Sequence, residues 1–203
     1  MTRSHSYAGL PDFQFWPRAV TWVSPGGLDP VVRTRFGIGA HDRVATMGSC
    51  FAQHLSRHLS RSGLHYYVAE AAPAGMGEDE ACRRNYGTFS ARYGNVYTVA
   101  QAVQLFRRAF DEFDPVERPW GRGGVLVDPF RPQVEPDGYV DEEALRDDRQ
   151  RHLQATRRVF ERCDVLVFTL GLTEAWRSRV DGSIFPTAPG VAGGSSTRRH
   201  TSS

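Results

Sequence analysis

The amino-acid sequence predicts an α/β fold with parallel strands. A short apolar run at 44–47 stops at Gly48, and a helical pattern begins directly after it. A second run, at 164–171, is apolar at consecutive positions, which is typical of a parallel strand covered on both faces. A long helical pattern at 142–162 leads into this second run, so helix, strand and glycine-led loop repeat the order found around Gly48.

The bend at Gly48 is the centre of the predicted fold. A residue without a Cβ lets the backbone turn sharply there, and Ser49 and Cys50 then lie between the strand end and the first turn of a helix. Free backbone N–H groups point outward at such a position, and the helix dipole favours negative charge. A thiolate or an oxyanion is stabilised there, which suits a nucleophile.

The helix after the bend is predicted to run to about Ser62, with Gly63 as the residue that ends it. Its apolar side chains, expected to share one face, are Phe51, Leu55 and Leu59. A second strand is predicted at 64–69, and a loop rich in alanine, proline and glycine at 71–80.

Gly94 and Asn95 belong to a pair of turn signals before the next helix. They form a tight turn, or they bring backbone N–H groups and an amide towards a substrate; the pattern leaves both open. The following helix is predicted at 96–113, with an apolar stripe that covers the sheet: Val99, Val103, Phe106, Phe110 and Phe113.

The second half of the chain is predicted to contain a short edge strand at 125–128 and a helix at 142–162. Asp141 is the expected cap of that helix, and its charge run at 146–151 is interpreted as a solvated face. The strand that follows places Thr173 and Glu174 at the same sheet edge as Cys50.

Both ends of the chain differ from the middle. Residues 1–40 are dense in proline and aromatic residues, which predicts an extended arm that packs on the domain and borders the site, or a partner surface. Residues 41–190 form the predicted domain, and 191–203 a disordered low-complexity tail. Since fewer strands are found than the about five that such a sheet usually has, we expect a chain truncated at its C-terminus.

Composition excludes several functions. The net charge of +2 is too small to indicate nucleic acid, and all 25 basic residues are arginine, which excludes a lysine Schiff base. The three cysteines, Cys50, Cys82 and Cys163, lie far apart, so we predict no metal site, and no cofactor is indicated. Without an apolar leader or a run of about 20 apolar residues, the chain is predicted to be cytoplasmic and not to contact a membrane.

The stretch Gly48-Ser49-Cys50-Phe51-Ala52 resembles the motif that names the GSCFA family, which is related to the SGNH/GDSL hydrolases. Stretches at 85–89, 93–98 and 169–176 are similar to the same family, in order. The resemblance implies a flavodoxin-like three-layer α/β/α fold with a mostly parallel sheet, incomplete here at the C-terminus. It also implies acyl-ester chemistry, with a small-molecule or glycan acyl ester as the partner.

An ungapped comparison with Gly-Asp-Ser-Leu places Cys50 at the nucleophile position, with Ser49 as the alternative. This resembles a capsular-polysaccharide acyltransferase family with a cysteine nucleophile. In the third block Gly171 is retained, Thr173 stands where the esterases have an asparagine oxyanion donor, and Glu174 is a candidate to orient a base or substrate.

None of the seven histidines has the Asp-x-x-His spacing of these esterases, so no general base is assigned. The prediction is therefore a hydrolase or acyltransferase that acts on O-acyl esters, including those of a glycan, through an acyl group on Cys50. The alternatives are a non-catalytic glycan- or protein-binding member of the fold and an inactive truncated fragment, and whether the chain is an enzyme is left open.

Overall fold

A computed structural model describes residues 7–29 and 34–194, together with the backbone of 200–202. The chain forms two compact units, Met1–Ile38 and Gly39–Ser203. The described part of the first unit coils into three short helical turns, Asp12–Gln14, Pro17–Thr21 and Pro25–Gly27, instead of running as an extended arm. Its proline residues do exclude a long helix, while the predicted packing on the domain stays a prediction.

The second unit is a mixed α/β structure that contains a small parallel sheet. Strand β1, Val44–Gly48, pairs in parallel with β4, Val165–Thr169, so that Gly48 lies opposite Thr169. Every residue of β1 is buried, because helix α1, Cys50–Arg61, packs against the sheet. Both predicted strands and the helix between them are confirmed.

The other edge of β1 carries only a short pairing. Val44 donates from its N–H to the His65 carbonyl at 2.9 Å and accepts from the Tyr67 N–H at 2.9 Å, which gives one parallel bridge to Tyr66. The strand predicted at 64–69 is therefore reduced to this bridge. Within the described part of the chain, β4 pairs with β1 alone, although its sequence predicts a strand with two neighbours.

Three further helices complete the unit. Helix α2, Glu78–Arg83, begins inside the predicted loop at 71–80, where three acidic residues in its first turn favour the helix N-terminus. Helix α3, Val99–Ala109, begins at a capping box formed by Thr98 and Gln101. Helix α4, Glu142–Arg162, has the predicted bounds and the predicted Asp141 cap, which accepts from the Ala144 N–H at 2.8 Å.

The predicted apolar stripe of α3 does not face the sheet. Val99, Val103 and Phe106 are exposed, and the buried residues of the helix are Gln101, Leu105, Arg108 and Ala109. The apolar face of α1 differs in the same way, since Phe51 is exposed and the buried positions are Ala52, Ser56 and Leu59. Leu59 is buried as predicted, but the buried Ser56 and Gln101 were not expected, and both have hydrogen-bonding partners in the fold.

The charge run on α4 is a solvated face only in part, since 146–147 and 150–151 are exposed whereas 148–149 are not. Asp148 is buried and accepts from Arg92 at 2.9 Å and from Arg131 at 2.8 Å. Arg149 reaches the buried Asp128 at 2.9 Å. These ion pairs bind α4 to two loops that are remote in sequence, so part of the run belongs to the interior.

Short hairpins form the rest of the second unit. Strands β2, Trp120–Arg122, and β3, Val125–Val127, pair antiparallel, so the short strand predicted at 125–128 is present with a partner. Strand β5, Trp176–Ser178, pairs with β6, Ile184–Phe185, and with β7, His200–Ser202. The last pairing lies within the tail predicted to be disordered, of which 195–199 and 203 are outside the described residues. No described helix is long and apolar enough to cross a bilayer.

Candidate functional site

The bend at Gly48 is imposed by the neighbouring strand. Its φ of 141° lies in the region that favours glycine, and a Cβ there would stand 2.4 Å from the Thr169 Oγ1 and 2.5 Å from the Thr169 carbonyl oxygen. A side chain at this position would therefore collide with the backbone of β4. The glycine lets β1 end in close contact with β4 and directs the next residues out of the sheet.

Ser49 is fixed at this bend and faces inward. Its backbone N–H donates to the Thr169 carbonyl at 3.2 Å and to the Thr169 Oγ1 at 3.1 Å, and its hydroxyl lies 3.2 Å from the same Oγ1. The residue is buried. The Ser49 hydroxyl is thus engaged by Thr169, where β1 and β4 end side by side.

Cys50 is the first residue of α1, and it is exposed. The N–H groups of a first helical turn have no carbonyl partner within the helix, so they can bind negative charge. The other two cysteines differ in setting: Cys82 is exposed on α2, whereas burial raises the pKa of the partly buried Cys163 thiol. Of the two predicted nucleophiles, Cys50 is the accessible one and Ser49 is the buried one.

The second predicted block passes directly over the end of β1. The Val96 N–H donates to the Gly48 carbonyl at 2.8 Å, and the Tyr97 carbonyl accepts from the N–H groups of Gly171 at 3.0 Å and Leu172 at 3.2 Å. The loop before α3 is therefore held between the ends of β1 and β4. Three of the four sequence stretches, 48–52, 93–98 and 169–176, therefore meet at this sheet edge.

Gly171 makes this meeting possible by its lack of a side chain. A Cβ at this position would lie 2.8 Å from the Ser49 Cβ and 3.1 Å from the Tyr97 Cδ1. Its backbone conformation is open to other residues, so it is the close approach that requires glycine. The Ser49 side chain and the edge of the Tyr97 ring consequently both lie beside Gly171.

Two cavities have Tyr97 in their lining. The smaller, about 100 Å³, is lined by Gly94, Asn95 and Tyr97 together with Phe130 and residues 131–133 and 186–187. The larger, about 340 Å³, is lined by Tyr97 and Glu174 together with Gln101, Leu172, Ala175, Trp176, Phe185 and residues 186–188. Gly94, Asn95 and Glu174, predicted from the sequence, thus lie on the walls of cavities that share Tyr97.

Two polar groups in these cavities are free to meet a ligand. The buried amide oxygen of Asn95 has no hydrogen-bond partner among the described residues. Glu174 is exposed, and no ion pair is found for it in the part of the chain that the structure describes. Buried polar atoms in folded proteins are usually paired, so an unpaired acceptor beside a cavity indicates a bound water or ligand group. Thr173 is also exposed and makes no described hydrogen bond.

Tyr97 is a titratable group whose pKa responds to charge on Cys50. Burial raises the pKa of its phenol, and negative charge on Cys50 raises it further, whereas the Asn95 amide lowers it. The phenol is therefore protonated over the ordinary range of pH. It is a hydrogen-bond donor in the neighbourhood of the cysteine.

The described histidines do not complete the site. His152 is buried in the core with its Nδ1 2.8 Å from Glu70, and burial lowers the pKa of its imidazole. His41, His54, His58 and His65 are exposed. His5 and the side chain of His200 lie outside the described residues. No three metal-ligating side chains come together in the described part of the chain.

Sequence reasoning missed Tyr97 and Thr169. Thr169 falls inside the apolar run predicted at 164–171, yet its hydroxyl contacts Ser49. The available signal was a polar side chain near the end of an otherwise apolar strand. Tyr97 lies within a recognised block, but its role follows from the path of the loop, which the sequence does not show.

Comparison with known proteins gave one match. Residues 43–202 match the model of the GSCFA family. The same comparison found no curated protein and no solved structure similar to the chain.

Proposed function

Because the chain belongs to the GSCFA family, and because its exposed Cys50 stands where three chain segments converge, we propose that the protein transfers acyl groups from esters through an acyl-Cys50 intermediate. We further propose that the fold is of the SGNH type, with the β1–β4 pair as part of a three-layer α/β/α arrangement. The parallel pairing of β1 and β4, with the glycine-led site at its carboxyl edge, supports this relation.

The single observation that carries the proposal is the contrast between Ser49 and Cys50. The Ser49 hydroxyl is buried against Thr169, whereas the Cys50 side chain is open to a substrate at the first turn of α1. A thiolate is the reactive form of cysteine, and a helix N-terminus favours negative charge. The geometry therefore supports the cysteine as the nucleophile.

The reaction proceeds in two steps. The Cys50 thiol gives its proton to water, and the thiolate attacks the ester carbonyl carbon; the carbonyl electron pair moves to oxygen and forms an oxyanion. When this intermediate collapses, the carbon–oxygen bond breaks and the alcohol leaves with a proton from water. Water or a hydroxyl group then attacks the Cys50 thioester, which releases the acid or a new ester and restores the thiol.

The two cavities supply room for both parts of an ester. We assign the smaller cavity, about 100 Å³, to a short acyl group and the larger, about 340 Å³, to a bulkier alcohol such as part of a glycan. Both cavities are lined by Tyr97, whose ring edge lies next to Ser49, the residue before Cys50. Trp176 in the larger cavity offers an aromatic surface, and Glu174 offers a carboxylate that accepts hydrogen bonds from hydroxyl groups.

The test is the stoichiometry of acylation by p-nitrophenyl acetate. We expect a burst of nitrophenol close to one equivalent per chain, followed by slow turnover, and an acetyl group on Cys50 by peptide mass spectrometry. Cys50→Ala is expected to abolish the burst, while Cys82→Ala and Cys163→Ala, the matched controls, retain it. A burst that survives Cys50→Ala, or is lost equally in all three variants, contradicts the proposal.

A second candidate function is non-catalytic binding of a protein partner. It is favoured by the exposed apolar side chains of Phe51, Leu170 and Leu172, which flank the site residues in the sequence. In that case Cys50→Ala changes no binding property of the protein, and no ester acylates the chain.

A further inference from the structure

Tyr97 lies where the three site segments meet. Its backbone N–H donates to the Gln101 side chain at 2.9 Å, and its carbonyl accepts from Gly171 and Leu172. The residue is thus anchored on both sides of its Cα, to the start of α3 and to the loop after β4. Such anchoring fixes the direction in which its side chain leaves the backbone.

The Tyr97 side chain lies beside the bend that carries the nucleophile. Its ring edge lies against the point that a Gly171 side chain would fill, next to Ser49, and the residue lines both cavities. The preceding residue, Val96, is bonded to the Gly48 carbonyl at 2.8 Å. Tyr97 is therefore positioned next to the residue before Cys50, on the side of the site where the two cavities lie.

The surroundings of the phenol suit a neutral hydrogen-bond donor. The charged residues that share a cavity with Tyr97 are Arg131 in the smaller one and Glu174 in the larger one. Strands β1 and β4, against which α1 packs, contain no titratable residue, and α1 has no acid in its first turn. The charged groups on α1 itself are the later arginines and histidines, such as His54 and Arg57. A phenol that stays protonated beside a site of developing negative charge can stabilise that charge.

We propose that the Tyr97 phenol, together with the backbone N–H of Cys50, binds the oxyanion formed when Cys50 attacks the ester carbonyl. This role rests on the proposed acyl chemistry. Asn95, which neighbours the phenol, is a positioning residue for it. The Tyr97 phenol is thus an oxyanion donor in addition to Thr173, the donor predicted from the sequence.

The experiment compares two reactions of the same thiol. Acylation by p-nitrophenyl acetate passes through an oxyanion, whereas alkylation by iodoacetamide displaces iodide and forms none. Tyr97→Phe is expected to slow acylation by about tenfold or more, up to about 10²–10³-fold for a well-placed donor, and to leave alkylation unchanged. Tyr67→Phe, which removes a phenol oxygen elsewhere in the second unit, is the matched control and changes neither rate.

The alkylation rate also reports whether Cys50 is intact in each variant, so a folding defect is visible directly. Tyr97→His, which keeps a donor on a ring, is expected to recover part of the acylation rate. An unchanged acylation rate in Tyr97→Phe, or an equal fall in both reactions, overturns the assignment. If the parent protein alkylates at Cys50 but is never acylated, the proposed function fails and the role of Tyr97 fails with it.

Discussion

At the scale of single residues, two glycines determine how closely the segments of the site approach one another. Gly48 is confined by its positive φ and by the β4 backbone, whereas Gly171 is confined by the side chains of Ser49 and Tyr97. The first constraint is conformational and steric, and the second is steric alone. The two positions therefore require glycine for different physical reasons.

Gly48→Val is expected to destabilise the protein by about 1–3 kcal/mol or more, because strain at φ is combined with a collision against Thr169. The matched control is Gly63→Val. Gly63 also has a positive φ, but nothing lies within 4 Å of its Cβ position. Urea unfolding of both variants separates strain from collision, and equal losses of stability would show that β4 does not confine Gly48.

At the scale of elements, a buried ionic network binds α4 to the loops around it. Arg92 contacts Asp148 at 2.9 Å and Glu135 at a shorter distance, and Arg131 joins Asp148 to Asp128. Burial by itself would raise the pKa of Asp148, but the charges of Arg131 and Arg92 outweigh it and lower the pKa to about 2. The network therefore stabilises the folded state while the carboxylate is ionised.

Two adjacent aspartates on α4 give a direct test of this network. Asp148→Ala is expected to cost about 3–5 kcal/mol of folding free energy, because it removes the carboxylate that Arg92 and Arg131 share and leaves their buried charges only partly compensated. Asp147 is exposed, so Asp147→Ala is expected to change stability by less than about 0.5 kcal/mol. Denaturant unfolding at neutral pH measures both, and similar losses in the two variants would contradict the structure.

Asp147→Ala and Asp148→Ala are also expected to differ in how their stability depends on pH in the acidic range. Since the folded-state pKa of Asp148 lies below its ordinary value of 3.8, its contribution is complete above about pH 4 and is lost as the pH falls towards 2. The parent protein and Asp147→Ala should both lose stability over this window. Asp148→Ala, which has already lost the contribution, should show a shallower dependence on pH there.

At the scale of the whole molecule, β4 is a partly open strand. In the described part of the chain it pairs on one side only, and Leu166 and Leu170 on or beside it are exposed. An apolar strand edge of this kind can pair with another chain. The apolar side chains of Phe51 on α1 and Val99 on α3 are exposed as well.

We therefore expect residues 1–203, expressed alone, to associate with increasing concentration. Leu170→Lys should reduce that association, because it adds a charge beside the edge at a side chain that is 65% exposed. Val140→Lys is the control, since Val140 is 85% exposed and lies before α4, away from β4 in the sequence. Light scattering over a concentration series measures the effect, and equal behaviour of both variants would exclude β4 as the contact.

The sequence by itself determined the elements whose causes are local. The β1–Gly48–α1 bend, the Asp141 cap with its long helix and the apolar β4 all follow from residue order, because hydrophobic runs, caps and glycines act over a few positions. The sequence also identified the stretches that contain Cys50, Asn95 and Glu174. In the fold, Cys50 is exposed at the start of α1, and Asn95 and Glu174 line cavities that share Tyr97.

Only the tertiary structure decided which side chains within those elements are buried and which are exposed at the candidate site. Arg92, Arg131 and Asp148 are buried because they are paired across segments distant in sequence, and no local pattern shows such pairing. Ser49 and Cys50 are neighbours of similar size, yet the hydroxyl of Thr169, 120 positions further along the chain, holds one of them inward. Tyr97 likewise became part of the site through backbone contacts to Gly171 and Leu172, which exist only once β1 and β4 lie side by side.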